Sequence, residues 1–181
     1  AVCKAVEWIQ HGVAHRLVTA PISKASWHLA NAGASGHTTL LSQLTQNSKT
    51  TMGFYTPKLK TVLVTIHVPY LRVPEMLTEV RLEQALDHAV LFCQYLGIQT
   101  PKIALAGLNP HAGENGLFGD EEQQVLIPFV EKMMRKKKTI YGPFSADTLY
   151  LRAVQKEFDM VISLYHDQAL IPIKLNGPKD T

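Results

Sequence analysis

The feature that most constrains this chain is a buried-strand pattern that breaks into a loop. The compact apolar run at 102–106 predicts a strand covered on both faces. It gives way at once to Gly107-Leu108-Asn109-Pro110-His111-Ala112-Gly113-Glu114-Asn115-Gly116-Leu117-Phe118-Gly119, too rich in glycine, asparagine and proline to continue a strand or a helix. Asp120-Glu121-Glu122-Gln123 then supplies the acidic cap and first turn of a helix. Strand, irregular loop and helix in that order form the repeating unit of α/β domains, which place their chemistry on the loops at strand ends. His111 sits in the middle of this one.

The rest of the chain repeats the alternation. Residues 1–10 predict a helix closed by Gly12, and 15–20 a strand stopped by Pro21. The hydroxyl of Ser23 and the ammonium of Lys24 then stand where an anion could meet a strand end. The small-residue loop Gly33-Ala34-Ser35-Gly36-His37-Thr38-Thr39 feeds a helix over 40–44, with Thr38 or Thr39 as its cap. His37 is left just outside that N-terminus, a place that favours anions. Strands follow at 50–55 and 59–65, with Pro57 in the turn, and the second ends in Thr65-Ile66-His67-Val68-Pro69. Pro74-Glu75 opens a long helix with Leu77, Val80, Ala85, Leu86, Ala89, Val90 and Cys93 inward and Gly97 closing it. The helix at 121–137 turns Val125, Leu126, Phe129, Val130, Met133 and Met134 inward, and Pro128 kinks it or ends its first part. A turn-rich connection, Tyr141 to Thr148, leaves Asp147 exposed before a short helix. The strand at 159–164 ends in Tyr165-His166-Asp167-Gln168, and 170–174 is a further apolar run that calls for a sheet.

Composition enters as a set of exclusions. At 46% hydrophobic and 18% charged, the 181 residues can build a core in one domain or at most two, and disorder is excluded. The net charge of +3 owes much to Arg135-Lys136-Lys137-Lys138, a run at a helix end without the basic-aromatic interleaving of a nucleic-acid surface. Cys3 and Cys93 make neither a disulfide framework nor a zinc knuckle, and both fall in apolar helical patterns that predict simple packing. No apolar run is long enough to span a membrane and no signal peptide is visible, so a reducing cytoplasm is expected. The chain begins inside an amphipathic pattern and stops directly after an apolar run, as a fragment of a longer protein would.

One pattern points to chemistry. His67, His111 and His166 each lie just past the end of a predicted strand. In a parallel sheet those ends converge on one edge, and three imidazoles with an open position are a usual catalytic metal set. Three separately satisfied loop histidines fit the pattern equally well. Asp147 and Asp167 lie beside the same predicted edge, suited to orienting an imidazole or to moving a proton. Lys174 is either a solubility residue or a cation facing the site. Glycines 113, 116 and 119 lack the spacing of a dinucleotide turn. His11 and His88 fall on helical faces and His28 follows Trp27 in a loop, and with His15 they carry no expected function.

At these residues the chain resembles the 4-hydroxythreonine-4-phosphate dehydrogenase family of pyridoxal phosphate biosynthesis. The motifs are Gly107-Leu108-Asn109-Pro110-His111-Ala112-Gly113-Glu114, Gly36-His37-Thr38, Ala146-Asp147-Thr148, Tyr165-His166-Asp167-Gln168 and Thr19-x-Pro21-x-x-Lys24, in the family's order along nearly the whole chain. Only the middle of the family's sequence is covered, without its N-terminal segment and without the C-terminal part that helps bind NAD. The resemblance implies a layered α/β/α fold like that of the isocitrate and isopropylmalate dehydrogenases, here residues 1–181 as a single α/β fragment truncated at both ends. It implies His67, His111 and His166 as ligands of one divalent ion (zinc, magnesium or cobalt), with His37, Thr38 and Lys174 on the small phosphorylated amino-acid substrate. Asp147 belongs to the same site, and Asp147, Asp167 and Lys174 are the candidates for catalysis. No residue is assigned to NAD. The family is a homodimer whose sites are shared between subunits. The implied activity is oxidation of 4-hydroxythreonine 4-phosphate by NAD, followed by decarboxylation to 3-amino-2-oxopropyl phosphate. A related dehydrogenase acting on another phosphorylated hydroxy acid, and a non-catalytic metal- and substrate-binding dimerisation fragment, are the competing readings. A metal-dependent hydrolase ranks behind them, because the extra carboxylate ligands of a two-metal site are missing.

Overall fold

The computed structural model describes residues 1–31, 33–34, 36–47 and 49–177. Ser35 of the small-residue loop and the tail at 178–181 lie outside the described residues. The chain divides into two compact units, 1–50 and 51–181.

In the first unit, α1 (Val2–Gln10) is the predicted amphipathic helix, followed by α2 (Lys24–Leu29) and α3 (His37–Thr45). The Ser23 hydroxyl accepts from Ser26 N–H and so caps α2, with Lys24 as the helix's first residue. The strand expected at 15–20 does not form. A strand needs a neighbour for its backbone groups, and among the described residues this unit has none. Gly36, rather than Thr38 or Thr39, takes the cap position of α3, which puts His37 in the first turn instead of outside it.

The second unit is a five-stranded sheet between two layers of helix. The strands are β1 (Gly53–Tyr55), β2 (Lys60–Leu63), β3 (Ile103–Ala106), β4 (Ile140–Phe144) and β5 (Met160–Ser163), in the spatial order β1-β2-β5-β3-β4. β1 is antiparallel to β2, and the other pairings are parallel. In the β1–β2 hairpin the buried Thr56 hydroxyl accepts from Leu59 N–H at 2.9 Å. The helices are α4 (Val73–Met76), α5 (Glu79–Tyr95), α6 (Ile127–Arg135), α7 (Ala146–Val154) and α8 (His166–Asn176).

The strands alternate between two cores. Ile103, Leu105, Met160 and Ile162 pack with α5 and α6, whereas Ala104, Ala106 and Val161 pack with α7 and α8. Topology explains the division. The connections β2-α5-β3 and β3-α6-β4 advance along the sheet, whereas β4-α7-β5 turns back across β3. Right-handed crossovers in opposite directions lie on opposite faces, so both faces are covered.

Several expectations change with the packing. The helix predicted from Pro74 is two: α4 ends at Met76, and the Thr78 side chain accepts from Arg81 N–H to start α5 afresh. The buried stripe of α5 runs through Leu82, Ala85, Leu86, Ala89 and Cys93. Val80 lies off it and is 75% exposed, and Met134 on α6 is likewise exposed. Cys3 is exposed and only Cys93 is packed. The run at 170–174 is helical, because Ala169 and Ile173 are buried four residues apart on one face of α8. Pro128 falls in the first turn of α6, and the turn before it, Glu122–Leu126, widens to π-helical form.

The basic run has a structural partner. Glu79, Glu83 and Asp87 line one side of α5, and they pair with Lys132, Lys136 (3.1 Å to Glu83) and Lys138 (2.6 Å to Asp87). Lys136 holds the Glu83 carboxyl below its ordinary range. Exposed pairs of this kind contribute about 0.2–1 kcal/mol each. Lys136→Ala is therefore expected to cost at most about 1 kcal/mol in urea unfolding, less at high salt. Leu86→Ala, at a fully buried position, should cost about 2–5 kcal/mol at any salt.

Candidate active site at the carboxyl edge of the sheet

Parallel pairing sorts the predicted site residues along one edge. Following the strand order, the carboxyl ends of β2, β5, β3 and β4 lead to His67, His166, His111 and Asp147. Two neighbouring pairs result.

The first pair is His67 and His166, whose rings lie 5.4 Å apart. Their strand ends are joined beyond the regular ladder. Val64 N–H donates to Ser163 O, and both the backbone and the hydroxyl of the buried Thr65 donate to Leu164 O (3.1 and 2.7 Å). Tyr70 and Tyr165 meet edge-to-face beside the histidines, with centroids 5.2 Å apart. Burial is the main cause that raises the Tyr165 hydroxyl above its ordinary pKa, with Tyr70 and Asp167 adding to it. His166 opens α8, and its Nδ1 lies 2.8 Å from Asp167 Oδ1. That contact leaves Nε2 of His166 facing away from the carboxylate.

The second pair is His111 and Asp147. Asp147 is in the first turn of α7, where Ser145 Oγ donates to its Oδ1 at 2.7 Å. This bond chiefly holds the carboxyl below its ordinary pKa, helped by the Thr148 backbone N–H and by the charge of His111. His111 stands in an unusual piece of backbone. Residues 111–115 all have φ between 43° and 80° and form a left-handed turn within Pro110–Gly116. Four of the five are not glycine, and a left-handed conformation costs an L residue roughly 1–2 kcal/mol. Backbone held in this region marks functional sites when the surroundings enforce it. The His111 ring is exposed and lies 5.9 Å from the Phe118 ring.

The buried Gln168 links the two pairs. Its Oε1 accepts from Leu164 N–H and its Nε2 donates to Gly107 O, both at 2.7 Å. It thus ties the end of β5 to the start of the His111 loop. Both Gln168 and the buried Glu122 were invisible as site residues by pattern; the only available signal was a polar side chain inside a stretch that has to be buried.

Among the described residues no group of three His, Cys, Asp or Glu side chains is close enough to hold a metal ion. The structure brings His67 and His166 together and leaves His111 on the Asp147 side. Lys174 is exposed in the last turn of α8, about 12 Å along the helix axis from His166. His37 and Thr38 belong to the first unit, where the His37 ring meets Trp27 edge-on at 5.3 Å. The glycine-rich loop wraps the left-handed turn.

Residues 1–181 match the family described as pyridoxal phosphate biosynthetic protein PdxA. The chain belongs to that family. Its curated relatives include D-threonate 4-phosphate dehydrogenase of Pectobacterium atrosepticum, 43% identical over 96% of this chain and 53% of the relative. Another is 4-hydroxythreonine-4-phosphate dehydrogenase of Desulforapulum autotrophicum, 40% identical over 94% of this chain and 50% of the relative. The solved 4-hydroxythreonine-4-phosphate dehydrogenase of Klebsiella pneumoniae superposes with a TM-score of 0.92 at 40% identity, covering 99% of this chain and 54% of that one. The layered α/β fold expected from the resemblance is thereby established. The chain spans about half the length of the relatives it matches.

The lowered Asp147 carboxyl has a sign that can be checked. Its contribution to stability is present above the ordinary carboxylate pKa and is lost as pH falls through the lowered folded value. Ser145→Ala removes the main cause, so carboxyl-carbon NMR should show the Asp147 midpoint move up toward the ordinary range.

Proposed function

We propose that this chain is the catalytic half of a cytoplasmic, NAD- and divalent-metal-dependent dehydrogenase that oxidises 4-hydroxythreonine 4-phosphate. The observation that carries the reading is the His67–His166 pair at the carboxyl edge, with Asp167 on His166 Nδ1. A carboxylate on one ring nitrogen fixes the tautomer and presents the other to a cation, the usual arrangement behind a histidine ligand.

The donor set fits a borderline divalent ion such as zinc or cobalt. His67 and His166 would hold it, with His111 of the second subunit of a homodimer as third ligand. Sharing is what the family resemblance implies, and it accords with the lack of a three-ligand group among the described residues of one chain. Bound there, the ion would supply a Lewis acid for a hydroxyl and for the carbonyl that replaces it.

The substrate has a secondary hydroxyl beta to a carboxylate. Asp147, kept ionised by Ser145, is the base for the hydroxyl proton, and NAD, when bound, would supply the hydride acceptor. The resulting β-keto acid loses carbon dioxide, and a proton delivered to the α-carbon gives 3-amino-2-oxopropyl phosphate. Among the residues of the second unit, Lys174 is the cation proposed for the substrate's anionic groups. NAD is assigned no residue of this chain.

D-threonate 4-phosphate is a second reading, favoured by the name of the Pectobacterium relative. The two substrates share the reacting hydroxyl, carboxylate and phosphate and differ at the α-carbon, hydroxyl against amine.

The test supplies each substrate with NAD and cobalt and follows NADH. Turnover of the amine substrate supports the first reading, and turnover of D-threonate 4-phosphate alone moves the assignment to the second. The chain by itself should bind cobalt, and Asp167→Asn should weaken that binding about 10–100-fold. Affinity unchanged by both Asp167→Asn and His166→Ala would sink the metal site.

A further inference from the structure

The left-handed turn that carries His111 is closed onto its flanks by Ala112 N–H to Asn109 O at 3.1 Å, Leu117 N–H to Glu114 O at 3.2 Å and Phe118 N–H to Gly113 O at 3.1 Å. Ala112 and Glu114 disfavour this conformation, so contacts outside the turn have to help select it.

Beneath it lies Glu122, an acidic side chain only 1% exposed. Its Oε1 accepts from Leu108 N–H at 2.7 Å and from Asn109 N–H at 2.8 Å. Its Oε2 accepts from Asn109 Nδ2 at 2.8 Å. The second proton of Asn109 Nδ2 goes to Glu121 Oε2 at 2.7 Å. Each of the Glu122 side-chain bonds therefore ends on residues 108 and 109, which lead into the left-handed turn. The loop also folds tightly over the carboxylate. A Cβ built on Gly113, where φ is +80°, would lie 2.8 Å from Glu122 Oε2, and one built on Gly107 would lie 3.1 Å from Oε1.

The local backbone explains how an acidic residue reaches this place. Ile127 N–H donates to Glu122 O, five residues back, in the π-helical turn Glu122–Leu126. Pro128 follows with no N–H to place in that turn. Such widened turns occur often at functional sites.

We propose that Glu122 is the positioning residue for His111, its buried carboxylate holding the left-handed turn that presents the imidazole at the sheet edge. The purpose of that hold rests on the role given to His111 above; the hold itself does not.

The experiment compares wild-type, Glu122→Ala and Glu122→Gln chains by amide hydrogen exchange and by cobalt titration followed in the visible spectrum. In Glu122→Ala, exchange at Leu108 and Asn109 should quicken about 10–100-fold while the β3 amides at 103–106 keep their protection. Cobalt affinity should fall by about 10–100-fold in the same variant, the size expected when a ligand's outer support is lost. Glu122→Gln keeps one acceptor oxygen for the two amides, and should fall between wild type and Glu122→Ala; it also serves if Glu122→Ala does not fold. Unchanged exchange at Leu108 and Asn109 overturns the proposal. So does protection lost evenly through β3, which would make Glu122 a brace of the fold, and so does a loosened loop with cobalt affinity unmoved. A wild-type chain that takes up no cobalt removes the metal reading, and the exchange comparison alone then decides the role of Glu122.

Discussion

Insertion of β5 between β2 and β3 is the constraint on which the site depends. It pairs β5 with a strand a hundred residues earlier (Thr61 with Val161) as well as with the nearer β3, and the Thr61 and Ser163 hydroxyls seal the junction at 2.6 Å within the sheet. Because all three strands run parallel, their carboxyl ends fall side by side and their loops open on one edge. The reversal of direction after β4 puts α7 and α8 on one face and α5 and α6 on the other. The strands between them can then be apolar on both sides, and the edge is where polar side chains collect.

That edge is assembled with polar side chains set into apolar surroundings. Gln168 and Thr65 use their hydrogen-bonding groups to join strand ends that the β-ladder no longer reaches. Glu122 does the same inside the His111 loop. A buried polar group left without a partner costs roughly 1–3 kcal/mol, so these residues favour the one arrangement that satisfies them. Rigidity of this kind suits a site whose ligand geometry must be set before the ligand arrives.

The His111 loop shows what composition alone does not convey. Its glycines and asparagines signal an irregular segment, and that was legible. Its left-handed course was not, since Ala112 and Glu114 are residues that avoid positive φ. The course is imposed from below by a carboxylate that the pattern assigns to an ordinary first helical turn. The same blindness affected 170–174. A short apolar run meets the requirements of a strand or of a buried helix face equally, and the neighbour that decides between them is remote in sequence. At 15–20 the run found no strand among the described residues to pair with and took neither form.

The sequence by itself determined the class of fold, the alternation of strands and helices, and the three strand ends that carry His67, His111 and His166; the strand Ile140–Phe144 that leads to Asp147 reads in the sequence as a turn-rich connection. Each of those follows from local chemistry: apolar periodicity, the punctuation of glycine and proline, and the preferences of helix ends. Only the tertiary structure decided which strand ends are neighbours. It paired His67 with His166 and His111 with Asp147, and buried Gln168 and Glu122 in the loops beside them. Strand order and the burial of a single polar side chain arise from contacts across the sheet, and no local pattern carries that information.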